Sequence, residues 1–192
     1  MLPTAAALLG VAIMSQLLGT GNSIRVLGPD GREYLMQNLP NKEEAVKLMA
    51  KIREHLTKLR DHYANEPALM NDPPVARFVA RFQSDVFSEN DISSSDTSYS
   101  ENKGQRIVVC LRDKTKPPHY PLIDLNTIMF VMLHEMAHLM TETIGHTSEF
   151  WENFKRILHD AVKLGIYTPV NYSRQPTPYC GMTITDSPLQ KT

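Results

Sequence analysis

Cysteine is scarce: the 192 residues contain two, Cys110 and Cys180, and no CxxC pair. That excludes a thiolate-built zinc knuckle and a disulfide framework, and a reducing compartment is the simpler reading. An excess of charge is missing too. Twenty Lys and Arg against 21 Asp and Glu leave a net charge of −1 with histidines neutral. There is no basic tail, so no electrostatic case exists for a dedicated nucleic-acid binder. No internal repeat is visible. Against these absences stands an ordinary globular balance, 42% hydrophobic and 21% charged. The length suits one domain with a sizeable core and is too short for two comfortable ones.

Charge is also absent from the first stretch. "LPTAAALLGVAIMSQLLGT" has no ionisable side chain, and the first charged side chain is Arg25. As a helix it would nearly span a bilayer core of about 30 Å. Residues 1–21 therefore read as a hydrophobic segment that anchors the chain in a membrane, with the rest on the cytosolic side because basic residues follow it. A cleaved signal and a helix of a soluble intracellular protein, nuclear or cytoplasmic, are the alternatives; the basic n-region of a signal is missing. Residues 22–192 then form the single folded domain.

Two short strands flank the turn Gly28-Pro29-Asp30-Gly31. Ala45, Leu48, Ile52, Leu56, Leu59 and Tyr63 recur at helical spacing, with Asn41 and Glu44 as a capping pair. His55 and His62 read as boundary residues of that helix. Pro73-Pro74 opens a short amphipathic helix carrying Val75, Phe78, Val79 and Phe82. Residues 88–104, rich in Ser, Asp and Asn, read as a long surface loop. "QRIVVCLRD", residues 105–113, is the best strand. Asp124 or Asn126 can cap a helix running to about Thr143 and stopped at Gly145. Thr147 or Ser148 can cap another, with Phe150, Phe154, Ile157, Leu158, Ala161 and Val162 on one side. The tail is irregular, with a small strand from Met182 to Thr185.

Chemistry concentrates in "VMLHEMAHLMTETIGHTSEFW", residues 131–151. His134 and His138 lie four apart on the apolar helix, so both rings project from one face. Two neutral imidazoles so placed can bind one Zn²⁺, and Glu135 beside them can reach a water rather than the ion. Burying histidines without partners is costly, and a metal satisfies both. The competing reading is a pair of histidines hydrogen-bonded to neighbours. A catalytic zinc needs a third protein ligand. His146 leads, because Gly145 permits a chain reversal. Glu149 or Glu152 could substitute; Glu142 lies too far along the helix. His119 and His159 read as loop and boundary residues.

"HEMAH" followed by "GHTSEFW" resembles the WLM and SprT-like, Spartan-related zinc metalloproteases, in particular the single-domain WLM proteins of large DNA viruses and algae. The resemblance runs from about Asn41 to Leu189 and includes "TSYSENKGQRIVVCLR" and "YCGMTIT". It implies His134, His138 and His146 as zinc ligands and Glu135 as catalytic base, with Phe150 and Trp151 packing the second helix. It implies an α+β, zincin-like fold in which the HExxH helix and the helix after it pack on a small β-sheet. Protein or peptide substrates follow, and related enzymes cleave proteins trapped covalently on DNA. The chain departs from those repair enzymes in lacking a basic tail, a second zinc module and an evident ubiquitin- or SUMO-binding extension. DNA binding and oligomeric state therefore stay open. The competing class is a non-catalytic, zinc-stabilised and membrane-tethered binding protein.

Zincins hold substrate against an edge strand, and residues 106–111, "RIVVCL", read as that edge, with the Ser-rich loop over the cleft. Tyr172 and Tyr179 are alternative oxyanion donors. Cys180 reads as a buried thiol, or as a thiolate able to occupy the open zinc position.

Overall fold

The computed structural model describes residues 22–190. The segment read as a membrane anchor, residues 1–21, lies outside them. Among the described residues no helix is long and apolar enough to cross a membrane.

Strands β1 (Ser23–Leu27) and β2 (Glu33–Gln37) pair antiparallel, Ser23 opposite Gln37 and Leu27 opposite Glu33. Gly31 supplies the positive φ the turn needs. A helical crossover follows: α1 (Lys42–Ala64), the single-turn α2 (Pro67–Met70) and α3 (Pro73–Arg81). The chain returns as β3 (Phe87–Glu89), parallel to β2, then β4 (Tyr99–Glu101) and β5 (Arg106–Val109). β5 is parallel to β3 and antiparallel to β4, giving a mixed sheet in the order β1-β2-β3-β5-β4. Helices α4 (Leu125–Met140) and α5 (Ser148–Lys163) follow, then the hairpin β6 (Thr177–Tyr179) and β7 (Met182–Ile184). The architecture is α+β. The apolar stripe of α1 lies on the sheet with Ile52, Leu56, Leu59 and Tyr63 buried; α3 and α4 pack against α1 and against each other, and α5 packs on α4.

Residues 88–104 are not one surface loop. They hold the end of β3, all of β4 and a connection of mixed exposure in which Asn90 and Ser98, like Glu89 at the end of β3, are buried and hydrogen-bonded. Glu89 is 4% exposed; it accepts from Arg112 Nε at 2.5 Å and from Gln37 N at 2.8 Å. Asn90 donates to the Asp96 and Thr97 carbonyls. Ser98 Oγ accepts from Cys110 N at 2.9 Å. Asn41 likewise does not cap α1. Its side chain accepts from Arg112, and Glu43 and Glu44 alone complement the helix start.

The structure also pairs the two cysteines. A disulfide joins Cys110, just beyond β5, to Cys180 in the β6–β7 turn, so neither is a thiol and Cys180 cannot act as a zinc-binding switch. The sequence reading failed because 70 positions separate them.

Candidate metal centre and catalytic cleft

Helix α4 starts where Asp124 accepts from Thr127 N, the first of the two caps considered. It ends at Met140, short of the expected Thr143. Thr141 turns its hydroxyl back to the Ala137 carbonyl at 2.7 Å. Cations then take the helix's last carbonyls: Arg81 binds those of Leu139 and Thr141, and Arg77 that of Met140, at 2.8–3.2 Å. This satisfies groups that would otherwise lack partners and complements the negative end of the dipole. Gly145 takes φ +86 in the following loop, and Thr147 caps α5 by accepting from Phe150 N.

The reversal carries His146 onto the α4 face bearing His134 and His138. One ligand atom from each of the three lies within 4.8 Å of the others, and among the described residues this is the metal-capable cluster. His134 Nε2 and His146 Nε2 are 3.1 Å apart. Nitrogens around a tetrahedral ion with bonds of about 2.0–2.1 Å would lie about 3.3 Å apart, so the donor set suits such an ion. Phe150 forms the floor, its ring centroid 4.8, 4.4 and 4.7 Å from those of His134, His138 and His146. Burial, then the neighbouring His138 and His146, pushes the pKa of His134 down to about 3. Burial, then His146 and Lys103, pushes that of His138 down to about 4. Both rings are therefore neutral at ordinary pH, the form that coordinates metal.

Glu135 faces β4. Its Oε2 accepts from Ser100 N at 3.1 Å and Ser100 Oγ at 3.3 Å. Burial raises its pKa to about 7 against the downward pull of those two bonds. Ser100 had no role in the sequence reading, since it sits within the stretch taken for a loop. The edge strand beside the centre is β4; β5 lies one strand further in and is not the edge.

Glu149 is not at the cluster. It binds Arg77, the backbone N–H groups of Glu142 and Thr143, and the Thr143 hydroxyl, all at 2.9–3.2 Å, so it braces the loop carrying His146. The two tyrosines named as oxyanion donors are both buried, and the hydroxyl of Tyr179 is taken. Tyr179 OH is bonded to Ser98 Oγ at 2.5 Å and to the Cys110 carbonyl at 3.1 Å, and Tyr172 is 0% exposed against Phe130.

Two hollows flank Glu135. One of about 260 Å³ opens between α4 and β7 and includes His134. The other, about 320 Å³, opens between β4 and the Thr143–Gly145 loop and includes His138.

Comparison with known proteins adds relatives to this geometry. A family model described as the WLM domain matches residues 99–177, from β4 to the start of β6. An uncharacterized protein of Acanthamoeba polyphaga mimivirus is 33% identical over 162 residues, 83% of this chain and 80% of that one. An uncharacterized protein of Invertebrate iridescent virus 6 is 37% identical over 82 residues, 43% of this chain and 45% of its own. Among solved structures, Wss1 from Saccharomyces cerevisiae aligns with a TM-score of 0.49 at 20% identity, over 68% of this chain and 87% of that one.

Proposed function

The chain belongs to the WLM-domain family of metalloproteases, and from that premise we propose that it is a zinc-dependent endopeptidase using water as nucleophile. His134, His138 and His146 hold the ion. Zinc so held supplies a Lewis acid that acidifies water and polarises a carbonyl. The chain's own residues do the rest. Glu135 takes the proton of the attacking water and hands it to the leaving amine nitrogen. Ser100 fixes one carboxylate oxygen through two donors. Substrate lies extended beside β4, where main-chain hydrogen bonds are available at the sheet edge.

The observation that carries this reading is Glu135 itself. It is held beside three convergent imidazoles by a strand at the cleft edge, and a purely structural zinc clamp has no use for it. The test is Glu135→Gln assayed on casein, with and without single-stranded DNA, with zinc measured in parallel. Stoichiometric zinc and a fall in turnover of about 10²–10⁴-fold are expected. Full activity in the variant would remove the base. A DNA requirement in the wild type would extend the substrate to proteins trapped on DNA.

A further inference from the structure

Among the described residues, three of the four exposed large hydrophobic side chains stand in or beside the metal-centre segments: Ile144, Trp151 and Met182. Met182, 49% exposed, belongs to the C-terminal hairpin and marks the mouth of the 260 Å³ hollow. Its walls include Phe130 and Val131 from α4 and Met182 and Ile184 from β7, with His134 and Glu135 also in the lining. We propose that this hollow is the specificity pocket. It receives a large apolar side chain (leucine, methionine or phenylalanine) from the residue on the C-terminal side of the cleaved bond. The proposal rests on the peptidase reading above and names what that site selects.

Size, charge and rigidity point the same way. A cavity of about 150 Å³ lined by apolar side chains holds benzene, so this volume accepts a branched aliphatic or aromatic side chain. The lining contains neither lysine nor arginine, so an acidic side chain finds no lysine or arginine countercharge there. The second hollow differs in having a cation, Lys103, in its walls. The wall bearing Met182 and Ile184 is tied down at the turn that precedes it. Tyr179 is hydrogen-bonded to Ser98 and to the Cys110 carbonyl, and the Cys110–Cys180 disulfide closes the same junction. A pinned wall discriminates sizes better than a loop can.

Direction follows from the strand. Thr97 and Ser98, before β4, line the apolar hollow, whereas Tyr99, Ser100 and Lys103 line the polar one. A peptide pairing antiparallel to β4 therefore passes the polar hollow first and the apolar hollow after Glu135.

The test uses the zinc-loaded full chain on a peptide set varied at one position, with cleavage sites mapped by mass spectrometry. Leucine, methionine or phenylalanine just after the cleaved bond should raise kcat/KM at least about tenfold over alanine, with aspartate disfavoured. Met182→Lys, a change at an exposed position, should shift the leucine-to-aspartate ratio toward aspartate by about tenfold at unchanged zinc content. In parallel, Glu135→Gln protein is titrated with labelled leucine and aspartate peptides by fluorescence polarisation, a readout without turnover. Cleavage with no preference, or a preference that Met182→Lys leaves in place, overturns the pocket and spares the peptidase. Absent cleavage with leucine still bound tighter than aspartate supports the pocket and defeats the peptidase reading. Absence of both defeats both.

Discussion

Removing the Arg112 side chain should unfold the sheet from its centre, with a pH signature that identifies the cause. Arg112 and Glu89 are each 1% exposed at the side chain and joined at 2.5 Å. Glu89 also accepts from Gln37 N, and Arg112 donates to Asn41, so the pair ties β3 to β2 and to the start of α1. Arg112→Ala leaves a buried carboxylate without its countercharge, which costs about 3–5 kcal/mol. With a urea dependence of about 2 kcal/mol per molar, the unfolding midpoint should fall by roughly 2 M at pH 7. Burial already holds the Glu89 pKa above its ordinary value, opposed by Arg112 and the Gln37 N–H. Losing Arg112 removes one opposing effect and raises it further. A carboxyl whose folded-state pKa exceeds its unfolded one binds its proton more tightly when folded. Its penalty is therefore absent below the unfolded pKa and appears as pH rises through the folded pKa. The destabilisation should accordingly shrink between pH 7 and pH 5, measured against wild type at each pH. Glu89→Gln in the Arg112→Ala background should abolish that dependence. A loss under about 1 kcal/mol at pH 7, or one equal at both pH values, would refute the assignment of a buried, charged Glu89.

The disulfide closes a separation of 70 residues, worth about 4 kcal/mol on the loop-entropy model, so Cys110→Ala with Cys180→Ala should lower the urea midpoint markedly. Thiol titration of the unfolded, unreduced wild type should find no free thiol; two would remove the pairing. Two glycines at positive φ should respond unequally to alanine. At Gly145 a Cβ meets nothing within 4 Å, and backbone strain alone costs about 1 kcal/mol. At Gly104 it meets the Arg81 carbonyl oxygen at 2.6 Å, and the cost should approach about 3 kcal/mol, read as a larger fall in Tm. The reverse order would contradict the described packing.

The histidine cluster was legible in sequence wherever its geometry is helical. The spacing of His134 and His138, the cap at Thr147 and the reversal at Gly145 all depend on contacts within a few residues. What crosses the sheet was not. The segment from Ser88 to Gly104 has the composition of a solvated loop. A polar residue looks alike in sequence whether it meets water or a buried partner, and these partners lie far away. Gln37 is 52 positions from Glu89, Glu135 is 35 from Ser100 and Tyr179 is 81 from Ser98. The 3.6-residue period thus fixed which histidines share a face. Only the folded sheet decided that β4 is the edge, that Ser100 holds the glutamate, and that the β6–β7 hairpin lines the hollow beside Glu135. Helix hydrogen bonds close within four residues, whereas strand pairing and side-chain satisfaction are settled between segments that meet only in the folded chain.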